Sequence, residues 1–163
     1  MPRWSFPLDE LVPHRPPMRL VDAVEEFDPE RRTARVSLTV RPEWAASHVA
    51  IEFMAQAAAT LAGLLDRQQL GPGVPPKPGF LLGTRRLELR VPRFEPGERL
   101  LVRVESVFCD DESASFACEV VRPESGADGE VVARATLNAY RPADAAGFLA
   151  SMKGANGTHD QGN

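Results

Sequence analysis

SHVAIEFMAQAAATLAGLLDRQQL, residues 47–70, decides how this chain folds. No proline or glycine interrupts it before Gly63, and Ser47 stands where a helix N-cap is wanted, so the spacing predicts one long helix. Its apolar residues do not gather into a stripe. They surround the helix, and such a helix is buried on most sides instead of lying on a surface. Ala57, Ala58, Ala59, Ala62 and Gly63 are small enough for a sheet to come close to the helix axis. The run Val49–Leu65 is broken by Glu52, Gln56 and Thr60 and reads as too short and too polar to cross a membrane.

On both sides of this helix the hydrophobic period changes to two. Upstream, Met18–Phe27 and Thr33–Val40 are predicted strands joined by the turn Asp28-Pro29-Glu30-Arg31-Arg32. In the second, Ala34, Val36, Leu38 and Val40 alternate with Thr33, Arg35, Ser37 and Thr39. Ser5–Leu11 offers a short helical turn within a proline-rich start. Downstream, the proline and glycine of residues 71–79 make a loop, and four strands follow: Phe80–Val91, Arg99–Phe108, Ser113–Arg122 and Glu130–Tyr140. A flat sheet leaves such a helix half uncovered. The order therefore predicts an α+β fold, a strongly curved antiparallel sheet wrapped around one long buried helix, which is the hotdog architecture. One domain is expected over 1–142, with a small, polar, glycine-rich and flexible tail over 143–163.

Composition excludes several classes. The chain has 163 residues, 43% hydrophobic and 26% charged, with net charge −4, which is the profile of a globular domain with no overall attraction to nucleic acid. An acidic partner would need a local basic patch. Two cysteines, Cys109 and Cys118, make neither a disulfide framework nor a zinc set, and free thiols are expected. MPRWSFPLDELVPHRPPM holds no apolar signal-peptide core, so a cytoplasmic protein with no membrane partner is expected. No metal or redox cofactor is indicated.

The most informative feature of the helix is its exception. His48, Glu52, Gln56 and Thr60 recur every four residues and so share one face. Polar groups on a buried helix are costly unless they are partnered or put to use.

Three segments, in order, resemble a known family. Leu11-Val12-Pro13-His14-Arg15-Pro16-Pro17-Met18-Arg19-Leu20-Val21-Asp22-Ala23-Val24 is similar to the N-terminal LPHRYPxLLVDRV segment of the 3-hydroxyacyl-acyl carrier protein dehydratases of type II fatty-acid synthesis. Ile51-Glu52-Phe53-Met54-Ala55-Gln56-Ala57 resembles their EAMAQA stretch, and Val91–Leu100 their RRPVxPGDxL turn. Gly79-Phe80-Leu81-Leu82-Gly83-Thr84-Arg85 looks closer to a divergent branch found with aryl-polyene-type pathways. The likeness covers roughly residues 9–140. One departure matters. Where the family has a GHFPGxPxMPG loop with a catalytic His, this chain has Arg41-Pro42-Glu43-Trp44-Ala45-Ala46-Ser47.

The resemblance implies dehydration of a 3-hydroxyacyl thioester on acyl carrier protein or coenzyme A. That reaction needs a base for the C2 proton, an acid for the C3 hydroxyl and donors for the developing enolate. Glu52 matches the family's acidic residue and is expected, from a buried setting, to act as the acid. His48, one turn earlier, and His14, in the family-like Pro-His-Arg-Pro segment, rank level as the base; Glu52 acting alone is a third possibility. The N–H groups around Ser47–Ala50 are expected to be free for the thioester oxygen. Gln56 is read as fixing the site more than reacting. Phe53, Met54, Phe80 and Leu82 are candidates for an acyl tunnel, Gly79 for close backbone approach, and Arg85, with Arg86, Arg90 and Arg93, for guiding an acidic carrier. The family implies pairing through the third strand, as a homodimer, a higher oligomer or a heterodimer with another hotdog subunit. Two other readings stand beside this one, a hotdog thioesterase and a catalytically silent acyl-binding subunit.

Overall fold

The computed structural model describes residues 7–75, 77–126 and 128–155. A short helix α1 (Leu8–Leu11) precedes β1 (Ala23–Asp28) and β2 (Thr33–Thr39). Two 3-10 turns, Pro42–Trp44 and Ser47–Val49, lead into α2 (Ala50–Leu70). Then come β3 (Phe80–Leu89), β4 (Arg99–Cys109), β5 (Ser113–Arg122), β6 (Glu130–Tyr140) and α3 (Ala145–Ala155). All strands pair antiparallel in one sheet of order β1-β2-β4-β5-β6-β3. The predicted α+β hotdog is the observed fold.

Alternation explains which side of the sheet holds α2. Ala34, Val36 and Leu38 of β2, Leu100, Val102 and Val104 of β4, Phe116, Cys118 and Val120 of β5, and Ala135 and Leu137 of β6 are all buried, and α2 packs on them. Phe53 sits at the centre, its ring 6.4 Å from Trp44 and 5.7 Å from Phe94. By length and composition Ser47–Leu70 would suffice to cross a membrane, contrary to the expectation above; 67% of its most apolar window is nevertheless buried inside the protein, so the sheet, not a shortfall in apolarity, accounts for this helix.

Several local expectations change. Ser47 does not cap α2: it opens a 3-10 turn, and no side chain caps the helix start. The first strand begins at Ala23 and not Met18, because the Met18 carbonyl and the Leu20 N–H are taken by the side chain of Gln56 instead of a neighbouring strand. Gly63 faces α1, not the sheet; a Cβ there would lie 2.5 Å from the Leu11 carbonyl oxygen, so only glycine lets α1 pack so closely. Within the stretch expected to be a flexible tail, residues 145–155 form α3. Asp144 accepts the Gly147 N–H at 2.9 Å, an N-cap, and the Phe148 ring packs 4.9 Å from Phe80 and 5.3 Å from Tyr140. Residues 156–163 lie outside the described ones.

β3 is the sheet's edge beyond β6 and is exposed along most of its length, with Leu81, Leu82, Leu87 and Leu89 all open to solvent.

Candidate active site

The site begins with a buried amide. Gln56 is fully buried, and all its hydrogen-bonding groups are used. Its Oε1 accepts the Leu20 N–H at 2.7 Å, and its Nε2 donates to the Met18 carbonyl at 2.8 Å and to Glu52 Oε1 at 2.9 Å. The backbone donor and acceptor leave the amide one orientation only. Gln56 thus ties the N-terminal segment to α2 and holds one oxygen of Glu52, while Oε2 makes no hydrogen bond with any described residue.

That same segment carries His14. Arg15 Nη1 donates to the carbonyls of Val12 (2.8 Å) and His14 (3.1 Å), which braces the bend. His14 Nε2 lies 3.9 Å from Glu52 Oε1, while its buried Nδ1 makes no hydrogen bond with any described residue. Glu52 is not buried as expected; half its side-chain surface is exposed. The carboxylate and imidazole meet at the mouth of a cleft of about 490 Å³. Its floor is the alanine side of α2, Ala55, Ala58, Ala59 and Ala62; its walls are Gly79, Phe80 and Leu82 at the start of β3, Phe116 and Leu137 of the sheet, and Phe148 and Met152 of α3.

The candidate residues divide accordingly. Glu52, His14, Gly79, Phe80 and Leu82 line the cleft, and Gln56 stands behind Glu52. Phe53 and Met54 do not: both are fully buried in the core and absent from the lining. Arg85 is exposed on β3, paired with Thr136, and is absent from the lining. His48 is exposed on the 3-10 turn and also lies outside the lining. The tighter 3-10 winding of residues 47–49 shifts His48 off the four-residue stripe of the α-helix. Thr60 donates back to the Gln56 carbonyl at 2.8 Å, a role inside the helix. The N–H groups of Val49 and Ala50, expected to be free, are engaged by the carbonyls of Ala46 and of Ser47 and His48.

Sequence reading missed Lys77, Arg141, Phe148 and Met152. For the last two a signal existed: Asp144 as a cap, followed by aromatic and methionine four residues apart.

The family model described as "ApeP-like: ApeP dehydratase" matches residues 6–150. The chain belongs to this dehydratase family. With that membership goes dehydration of 3-hydroxyacyl thioesters as the class of reaction. Among its relatives is the 3-hydroxyacyl-acyl-carrier-protein dehydratase FabZ of Anaeromyxobacter sp. (strain K), 34% identical over 109 residues, which cover 60% of this chain and 67% of that protein. FabZ of Anaeromyxobacter dehalogenans (strain 2CP-C) is 36% identical over 110 residues with the same coverage. Among solved structures, the dehydratase heterocomplex ApeI:P from Xenorhabdus doucetiae superposes with TM-score 0.76 at 23% identity, over 91% of this chain and 98% of that one. A hypothetical thioesterase with coenzyme A from Streptococcus pneumoniae TIGR4 reaches 0.53 at 12% identity, over 73% and 84%. Likenesses at such identities speak for the hotdog fold alone.

Proposed function

We propose that this ApeP-like protein converts a 3-hydroxyacyl thioester, delivered on acyl carrier protein, to the trans-2-enoyl thioester, with His14 as base and Glu52 as acid. The single observation that carries this reading is the placement of His14 Nε2 3.9 Å from Glu52 Oε1 at the mouth of an apolar cleft. A base and an acid facing one cavity are what a β-elimination requires.

In this scheme the 3-hydroxyacyl group lies with C2 beside His14 and C3 beside Glu52. The imidazole takes the C2 proton, and that C–H electron pair becomes the C2=C3 bond. Glu52 gives the proton on Oε2 to the C3 hydroxyl, which leaves as water with the C–O electron pair. The pair is then imidazolium and carboxylate. Return of the proton from Nε2 to Oε2, carried by the water just released, restores the starting state. Gln56 keeps Oε1 engaged, so Oε2 is the oxygen presented to substrate.

The exposed β3 edge supports association with a second hotdog subunit, whether a copy of this chain or a related one, because an apolar unpaired edge strand is an aggregation hazard unless covered. The dehydratase heterocomplex among the structural neighbours favours testing both. The test is a turnover assay on 3-hydroxyacyl thioesters of carrier protein and of coenzyme A, following enoyl absorbance and free thiol together. Enoyl product without thiol release is expected, and Glu52→Gln or His14→Ala should lower its rate by about 10²–10⁴. Thiol release instead would establish a thioesterase. Activity retained within twofold in folded His14→Ala would remove His14 from the mechanism.

A further inference from the structure

We infer that the Arg141–Asp66 ion pair closes the far end of the acyl cleft and so sets the longest acyl chain this protein accepts. The inference rests on the reading of the cleft given above. Glu52, Ala55, Ala59 and Ala62 follow one another at steps of three and four along α2 and line the cleft from its mouth inward. Ala62 is ten residues beyond Glu52, a rise of about 15 Å, or room for roughly twelve carbon–carbon bonds of an extended chain.

At that depth the lining changes character. Arg141, just past β6, is only 8% exposed, and its guanidinium is bound to the carboxylate of Asp66, one turn beyond Ala62. Its position is held from two directions. The Arg141 N–H donates to the Glu112 carbonyl at 2.6 Å, and a Cβ on Gly79 would meet Arg141 Cγ at 3.4 Å, ordinary contact, so the arginine stem runs alongside the start of β3. Behind the pair lies a second cavity of about 390 Å³, and it is polar, with Asp66, Gln69, Asp110 and Asp111 in its walls. The two cavities share Ala62, Lys77, Phe116 and Arg141. They are neighbours divided by a partition, and its only ion pair among the described residues is Arg141–Asp66. A methylene chain that reached the partition would have to press on a buried charged pair and strip its remaining contacts with solvent, which is unfavourable. The chain therefore ends at the pair, and the second cavity stays out of its reach.

Two changes act on this wall in opposite senses. Ala62→Leu fills the far end of the cleft and leaves Glu52, His14 and the ion pair in place. Arg141→Ala combined with Asp66→Asn removes the guanidinium without leaving a lone carboxylate, joining the two cavities. The experiment measures, on the full chain, dissociation constants for unreactive saturated acyl thioesters of increasing length, together with kcat/KM for the matching 3-hydroxyacyl thioesters. Thermal melts confirm that each variant is folded. Ala62→Leu should move the length limit down by two to four carbons. The double variant should raise the ratio of long-chain to short-chain affinity at least tenfold. If both folded variants keep the parent length profile, the ion pair is not the wall. If binding shifts as expected while no variant, nor the parent, forms enoyl product, the wall stands and the dehydratase reading of this cleft falls. Should the double variant fail to fold, Ala62→Leu alone decides, since an unchanged limit there overturns the inference.

Discussion

The two faces of this one sheet treat charge in opposite ways. On the convex face, Glu26, Arg35, Arg103, Glu119, Arg134 and Glu88 lie in a single register row across all six strands. Their charges are met sideways: Arg35 to Glu26 at 3.3 Å, Arg103 to Glu119 at 2.9 Å and Arg134 to Glu119 at 2.9 Å. The concavity on that face, about 660 Å³, is larger than the cleft beside Glu52. On the concave face the neighbouring row is Val36, Val102, Val120 and Ala133, all fully buried. Among these apolar walls, the Glu52 carboxylate stands at a cleft mouth with one oxygen unbonded by any described residue and an imidazole 3.9 Å away. The difference teaches that neither the size of a hollow nor its count of charges marks a reactive site. What marks it is a charge whose partners leave part of it unspent, next to a cavity that a substrate can fill.

The sharpest way to break this contrast is to neutralise one carboxylate on each face. Glu52→Gln should lower the rate of enoyl formation by about 10²–10⁴, the usual contribution of a positioned acid–base group. Glu119→Gln should stay within twofold. Steady-state turnover at saturating substrate, with matched thermal melts, checks both. Equal losses would mean that the convex row matters to the reaction and that the distinction between the faces is wrong.

The fold was readable because its signals were long. A long, mostly apolar stretch without proline, flanked by period-two runs, admits few arrangements, and β5 and β6 begin and end where alternation placed them. Glu52 and Gln56 were readable for a related reason, as polar residues one turn apart on an apolar helix. His14 against His48 could not be separated, because the choice depends on contacts between segments distant in the chain. Gln56 reaches back 36 and 38 residues to Leu20 and Met18, and that tether brings His14 to the helix. Phe53 and Met54 were misplaced because, on a helix apolar all round, hydrophobicity does not say which side faces a cavity and which faces the core. The walls from Arg141, Phe148 and Met152 were missed because the last strand was taken as the end of structure.

The tether gives the second prediction. Gln56→Leu keeps the volume but leaves the buried Leu20 N–H and the part-buried Met18 carbonyl without the side chain that engages them. It should destabilise the fold by about 2 kcal/mol or more, since each orphaned buried group costs roughly 1–3 kcal/mol. It should also cut turnover well beyond what stability explains, because it frees both Glu52 Oε1 and the segment holding His14. Urea unfolding together with kcat at a temperature where the variant is folded separates the two effects. Loss of stability with unchanged kcat would reduce Gln56 to a structural strut.

The concave face also hides a thiol, and the two cysteines sharpen the contrast. Burial pushes the Cys118 pKa up from 9.0 to about 12, whereas Cys109 is exposed. The native protein should therefore be alkylated at one thiol at pH 8, and at two after unfolding, as read by intact mass. The folded state holds the Cys118 proton more tightly than the unfolded state does. The stability this contributes is complete below pH 9 and is lost as pH rises toward 12. Cys118→Ala should flatten that part of the stability curve. Rapid double labelling of the folded protein would show that the concave core opens to water.

The smallest effect is expected from the most crowded charges. Glu119 bridges two arginines, yet its side chain is 31% exposed and those of Arg103 and Arg134 are 33% and 42% exposed, so water screens each pair. Exposed ion pairs contribute about 0–1 kcal/mol apiece, and Glu119→Ala should cost no more than roughly that in denaturant unfolding, and less still at high salt. The row could exceed this only by acting as a network, in which removing the central carboxylate leaves Arg103 and Arg134 facing each other with nothing between. A double-mutant cycle of Glu119→Ala with Arg134→Ala tests that directly. Coupling under 1 kcal/mol keeps the convex face as solvated scaffold; coupling of several kcal/mol, insensitive to salt, would show that its charges are held as tightly as the apolar core they cover, and that the cleft's chemistry rests on both faces.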